Sequence, residues 1–216
     1  MERLLEEIRK DVRETAHLTG QSVLDERVLE AFGRVPRHAF VPAELASSAY
    51  YNHPLPIGHG QTISQPYIVA LMTHLIRPRP GHVVLEVGTG SGYQAAVLAG
   101  LVKQVYSVEI VEALARQAME RLQRLGYGNV EVRIGDGHAG WPEHAPYDGI
   151  LVTAAAEEVP PALIRQLKPG GVLVIPVGGS HFGQQLRVIS KDARGEVEER
   201  NVLPVVFVPL VETVVR

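Results

Sequence analysis

Residues 86–93 read EVGTGSGY, and the meaning of those glycines decides the fold. The preceding HVVLEV (82–87) is a short apolar run rich in β-branched residues, which reads as a buried strand. The following YQAAVLAGL (93–101) has the composition of a helix. Glycines between a strand and a helix let the chain turn tightly and let its backbone approach a ligand unobstructed by Cβ atoms. A dinucleotide fingerprint needs G-x-G-x-x-G, with the third glycine where helix and strand pack. Here the spacing is G-x-G-x-G, and Tyr93 stands where that third glycine belongs.

A bulky residue at that point argues against a pyrophosphate cradle and hence against NAD. An adenosyl cofactor without phosphates, such as S-adenosylmethionine, suits the loop better. The bland alternative is a tight turn holding no ligand.

Working outward, the same alternation continues. QVYSVEI (104–110) reads as a second strand, followed by an amphipathic helix, VEALARQAMERLQRLG (111–126), closed by Gly126. VEVRIG (130–135), YDGILVTA (147–154) and GVLVIPVG (171–178) read as further strands, with PALIRQLK (161–168) as the helix before the last of these. QLRVISK (185–191) and GEVEERNVLPVVFVPL (195–210) suggest two more, joined by a turn containing glycine. Such alternation predicts an α/β fold with a mostly parallel, doubly wound sheet. The order of the last two strands stays open. Ligands in such sheets bind at the carboxyl ends of strands, near the switch in strand order.

Residues 81–216 therefore form the predicted core, and residues 1–80 a helical, loop-rich cap within one compact unit. In the cap, Leu4, Leu5, Ile8 and Val12 recur at helical spacing, and Asp25-Glu26 opens a second short helix ending near Gly33 and Pro36. Between residues 36 and 62, prolines and glycines preclude long regular elements.

Composition narrows the function. The chain has 216 residues, 45% hydrophobic and 21% charged, a net charge of -3 and no cysteine. That charge lacks the basic footprint of nonspecific nucleic-acid binding. Without cysteine there is no disulfide framework, thiolate metal site or cysteine nucleophile. No apolar run approaches the roughly 20 residues of a membrane span, and the charged N-terminal MERLLEEIRKDVRE does not resemble a signal peptide. A cytoplasmic protein is expected.

Two strand ends carry acids. Glu109 ends the second strand, where a carboxylate can accept hydrogen bonds from both hydroxyls of a ribose; equally, it can be an acid favoured by the dipole of the next helix. Asp136, between Gly135 and Gly137 at the end of the third strand, can accept from an adenine amino group, although Asp-Gly turns are also common without ligands. The segment HGQTISQP (59–66) precedes an apolar helix, YIVALMTHLI (67–76). With Gln65-Pro66 opening that helix, Ser64 reads locally as an N-cap.

Set beside RVPRHAFVP (34–42), YYNHPLPIGHGQTISQPYIVALM (50–72), EVGTGSGYQAAVLA (86–99), GDGHAGWPEHAPYDGILVTAAA (135–156), QLKPGGVLVIPVG (166–178) and FVPLV (207–211), the chain resembles the protein-L-isoaspartate O-methyltransferase family. The resemblance covers about residues 34–211, and HGQTISQP is its most specific piece, since methyltransferases in general share only the glycine loop. It implies a seven-stranded Rossmann-like methyltransferase sheet, S-adenosylmethionine as cofactor with S-adenosylhomocysteine as product, and isoaspartyl peptides and proteins as substrates. A monomer with no nucleic-acid or membrane partner and no metal is expected.

The resemblance also implies roles. Ser64 falls on the family's active-site serine. Gln61, Thr62 and Ile63 belong to the cofactor-contacting loop. Gly88, Thr89, Gly90 and Gly92 line the methionine part of the cofactor, Glu109 and Ile110 bracket the ribose and adenine, and Asp136 and Gly137 meet the adenine edge. Some relatives carry a hydroxyl residue where this chain has Val211.

The implied chemistry needs no strong base, because a carboxylate of pKa about 4 is ionised at neutral pH. No hydrolase elbow or HExxH spacing is present in the sequence. His53, His59, His138, His144 and His181 fall in predicted loops with no paired metal spacing, and Trp141 and Tyr147 read as hydrophobic anchors. Arg34, Arg37 and Arg77 read as scattered surface arginines. Competing readings are a methyltransferase for a small molecule or RNA, and a noncatalytic adenosyl-binding module.

Overall fold

The computed structural model describes residues 1–179 and 183–212; His181, read above as a loop histidine, lies outside them. The chain opens with α1 (Glu2–Glu14), α2 (Ala16–Thr19) and α3 (Glu26–Arg34). Leu4, Ile8 and Val12 form the buried face of α1, and the Asp25 side chain caps α3 by accepting from the Arg27 amide. The proline-rich stretch that follows contains two short 3-10 turns, Arg37–Phe40 and Ala43–Ser48. It also contains a small antiparallel pair that periodicity did not reveal, β1 (Leu55–Gly58) and β2 (Gln61–Ile63). Positive φ at His59 and Gly60, 54° and 70°, gives this hairpin a two-residue turn with the twist that antiparallel strands require.

After α4 (Pro66–Leu75) the core alternates: β3 (Val83–Val87), α5 (Tyr93–Ala99), β4 (Gln104–Glu109), α6 (Glu112–Arg124), β5 (Val130–Ile134), β6 (Tyr147–Val152), α7 (Pro161–Gln166) and β7 (Leu167–Val177). The chain ends in the hairpin β8 (Gln184–Lys191) and β9 (Val197–Val205). The seven-stranded sheet has the order β5-β4-β3-β6-β7-β8-β9. Its first five members in that order are parallel; β8 then pairs antiparallel with β7, and β9 antiparallel with β8. The strand order reverses between β3 and β6, which opens the crevice at their carboxyl ends.

The central strands are buried on both faces, as helices on either side require. One apolar cluster runs from Leu4, Ile8 and Phe32 through Leu71 and Val97 to Leu186 and Leu203, so the N-terminal helices pack into the core rather than beside it. On the other face, Trp141 and Tyr147 anchor their loop, with the Tyr147 hydroxyl donating to the Trp141 carbonyl. Arg34 and Arg77 are exposed as expected. Arg37 corrects the sequence reading: it is 0% exposed, because Phe40 and Tyr93 close around the turn that carries it.

Candidate active site

The glycine loop is shaped by neighbours as much as by its own sequence. Gly88, at φ 95°, has no room for a Cβ because Thr153 Oγ1 occupies that space. The Thr153 hydroxyl donates to the Gly88 carbonyl at 2.6 Å, and the Thr153 amide donates to the Val87 carbonyl at 2.9 Å. Gly92, at φ 87°, packs on Leu122 of α6 and starts α5. Beneath the loop, a chain of buried hydroxyls links Thr89 to Ser107 at 2.6 Å and Ser107 to the carboxyl group of Glu86. Burial pushes the Glu86 carboxyl up to about 8, so it is protonated at neutral pH.

Glu109 is 6% exposed and braces the loop directly. One carboxylate oxygen accepts from the Gly90 amide at 2.7 Å and the other from the Val111 amide at 2.9 Å. A carboxylate oxygen has more than one acceptor direction, so these bonds leave capacity for ligand hydroxyls.

Two cavities meet over this loop. The first is lined by Gly88, Gly90, Glu109, Ile110 and Gly137 from the core and by Gln61 and Thr62 from β2. Gly137 has no room for a Cβ, since Val87 and Leu210 already fill that space. His59 and Val211 complete the rim, so valine occupies the position at which the family resemblance implies a hydroxyl in some members. The second cavity, about 520 Å³, is lined by Ser64, Tyr67 and Pro54, by Asp11 of α1 and Thr15 just after it, and by the segment Leu203–Val208. Thr62, Thr153 and Val208 belong to the walls of both.

Four of the expected residues do not line the glycine-walled cavity. Ile63 is buried in the apolar core and anchors β2 there. Thr89 is turned down to Ser107, and Gly92 faces α6. Asp136 sits beside Gly137; its Oδ1 accepts from the His138 amide at 2.8 Å, while Oδ2 makes no hydrogen bond with a described residue.

Ser64 does not cap α4. The N-cap position is Gln65, whose side chain makes no capping bond. Asn52 takes that role from across the turn: its Oδ1 accepts from the Tyr67 amide at 3.0 Å, while its Nδ2 donates to Asp11. The Ser64 carbonyl accepts from Arg37 Nη2 at 2.8 Å. Its hydroxyl forms no hydrogen bond with a described residue and faces the larger cavity. Sequence reasoning missed Thr153, Val208 and Asn52. Thr153 carried a signal, since it directly follows β6 at the carboxyl edge of the sheet.

The donor set fits an adenosyl cofactor. A buried carboxylate at the end of β4 is placed for a ribose diol, and a glycine-lined wall without Cβ atoms admits a flat nucleoside. Fold and site together define a Rossmann-like, S-adenosylmethionine-dependent methyltransferase.

The family model described as protein-L-isoaspartate(D-aspartate) O-methyltransferase matches residues 12–215. The chain belongs to that family. It is 64% identical over 207 residues to protein-L-isoaspartate O-methyltransferase 2 of Polaromonas sp. strain JS666, covering 96% of this chain and 98% of that one. It is 60% identical to the protein of the same name from Syntrophobacter fumaroxidans, over 96% of this chain and 84% of that one. Among solved structures, a protein described as a putative protein-L-isoaspartate O-methyltransferase from Plasmodium falciparum, in complex with S-adenosyl-L-homocysteine, superposes with a TM-score of 0.80. The identity is 25%, covering 98% of each chain. Another protein-L-isoaspartate O-methyltransferase structure superposes with a TM-score of 0.82 at 28% identity, covering 97% of this chain and 67% of that one.

Proposed function

We propose that the two cavities are the halves of one methyl-transfer site, with the donor in the glycine-lined half and the isoaspartyl carboxylate beside Ser64. The enzyme is a protein-L-isoaspartate O-methyltransferase: it esterifies the free carboxylate of L-isoaspartyl residues in damaged peptides and proteins and so starts their repair. The observation that carries the placement is the common wall of Thr62, Thr153 and Val208, across which a methyl group passes directly from one half to the other.

When bound, S-adenosylmethionine supplies a methyl group activated by its sulfonium charge. Glu109 holds the ribose hydroxyls, and the backbone of Gly88 and Gly90 lies along the methionine part. Gln61 and Thr62 cover the donor from the hairpin, while Ile110 and Gly137 flank the adenine. Asp136 accepts from the adenine edge through Oδ2, the oxygen that His138 leaves free. The family-derived assignments of Ile63, Thr89 and Gly92 become indirect: they anchor the walls instead of touching the donor.

The Ser64 hydroxyl donates a hydrogen bond to one carboxylate oxygen, leaving the other free to attack. Because the carboxylate is already ionised, no side chain has to remove a proton. Exchanging part of its water shell for the cavity wall, and aligning it with the methyl group, supplies the rate gain. The net charge of -3 speaks against a nucleic-acid partner, and the enzyme is read as a cytoplasmic monomer. No helix among the described residues is long and apolar enough to cross a membrane. We treat residues 1–80 and 81–216 as a cap and core of one unit, a reading supported by their common apolar cluster.

The test is a radiolabelled methyl assay on an isoaspartyl peptide and its ordinary aspartyl counterpart, with the parent and Ser64→Ala. The parent is expected to label only the isoaspartyl form. Ser64→Ala is expected to lose turnover on the order of 10²-fold or more while binding S-adenosylhomocysteine normally. Parent-like turnover in that variant would remove Ser64 from the mechanism.

A further inference from the structure

Among the described residues, Arg37 is the largest fully buried side chain and belongs to no ion pair. Its Nε donates to the Ala49 carbonyl at 2.9 Å, its Nη2 donates to the Ser64 carbonyl at 2.8 Å, and its Nη1 has no partner. An unpaired buried cation is costly, and an apolar side chain of similar volume often fills such a space with no loss of stability. Stability alone therefore does not account for an arginine here. What only arginine offers is a rigid, planar fork whose donors point in fixed directions and whose face can rest on an aromatic ring.

Both properties are used. The guanidinium lies 4.6 Å from the centroid of the Tyr93 ring. Tyr93 is the first residue of α5, directly after the glycine loop, and its ring is held edge-on by Phe32 and Phe40 at 5.9 and 5.5 Å. Arg37 thus touches the glycine-loop side with its face and the Ser64 side with its edge. The side chain that replaces the third glycine of a dinucleotide fingerprint acquires a use: it is the floor on which the guanidinium rests.

We propose that Arg37 is a positioning residue for methyl transfer, its fork and face together fixing the Ser64 loop against the glycine loop on the Tyr93 floor. The proposal rests on the reading that Ser64 holds the substrate carboxylate. Lysine at this position keeps the charge but is a single flexible donor centre, so it cannot hold two carbonyls and a ring in the same geometry.

The experiment is a double-mutant cycle of parent, Arg37→Lys, Ser64→Ala and the double variant. It reads kcat and KM on an isoaspartyl peptide, S-adenosylhomocysteine affinity by calorimetry, and melting temperature. Arg37→Lys is expected to lower kcat on the order of 10²-fold, the scale of a misplaced catalytic group, with affinity for S-adenosylhomocysteine unchanged. In the Ser64→Ala background the same substitution is expected to cost little more. Equal fold losses in both backgrounds, or parent-like kcat in Arg37→Lys, overturn the proposal. A fully active Ser64→Ala enzyme overturns the underlying reading and the clamp with it. Tyr93→Leu, which removes the floor and leaves the arginine, gives an independent arm. It is expected to reproduce the Ser64-dependent loss even where Arg37→Lys does not fold, and an additive loss from it also counts against the proposal.

Discussion

Replacing Glu109 with glutamine changes one atom type and almost no volume, yet the site leaves that change no harmless orientation. In the parent, each carboxylate oxygen accepts from a backbone amide, Gly90 at 2.7 Å and Val111 at 2.9 Å. Glutamine has one carbonyl oxygen, so in either flip one of those amides faces an NH2 group. The variant loses one hydrogen bond to a charged group, about 1.5–3 kcal/mol, and its surviving bond becomes a neutral one, for a total of about 2–4 kcal/mol. For a chain of this size each kcal/mol shifts the midpoint by about 2–4 °C, so melting should fall by roughly 5–15 °C. The ribose diol loses an ionised acceptor as well, which weakens donor binding by roughly 10- to 150-fold. Calorimetric titration with S-adenosylhomocysteine beside thermal melting separates the two effects. If melting falls but affinity stays within about twofold of the parent, Glu109 only braces the loop and the ribose assignment is refuted.

Other substitutions probe the loop from beneath and from the side. Gly88→Ala puts a methyl group into the position of Thr153 Oγ1 at a residue with φ 95°. It should cost about 3 kcal/mol, from left-handed backbone strain and displaced threonine bonds. Adding Thr153→Ala should recover part of the lost melting temperature, and no recovery would show that the overlap is not the cause. Glu86 holds a proton in the folded state up to about pH 8, whereas the unfolded chain releases it near 4.5. The folded state binds more protons across that window, so stability falls as pH rises from about 4.5 to about 8. Glu86→Gln does not titrate. Its melting temperature relative to the parent should therefore improve steadily from pH 5 to 8, and a constant difference would contradict the buried, protonated acid.

The legible part of the site was the part built by neighbours along the chain. The Gly88–Gly92 turn follows a strand and starts a helix within a few residues, so its spacing and the bulk of Tyr93 could be read without knowing what lay above them. Glu109 was legible for the same reason, as the last residue of β4. Ser64 shows the opposite case. Its sequence signal favoured a helix cap, and the capping role was taken by Asn52, 15 residues before the amide it accepts from. Arg37 has the composition of a surface residue, and nothing nearby announces that its partner is a carbonyl 27 residues away. The β1–β2 hairpin escaped because strands of four and three residues, the first holding Pro56 and Gly58, carry no usable alternation.

By itself, the sequence determined the doubly wound α/β character, the ligand edge of the sheet and the preference for an adenosyl ligand over a dinucleotide. Those follow from periodicity and turn sterics, which act over a few residues and are written locally. Tertiary structure alone decided that β9 lies outside β8, that Arg37 is buried on Tyr93, and that the Ser64 hydroxyl is left free. It also decided that Thr153, 65 residues beyond Gly88, closes the glycine loop and joins the two cavities. Such choices rest on which distant donors reach a buried acceptor first, and that competition is settled only when the whole core packs.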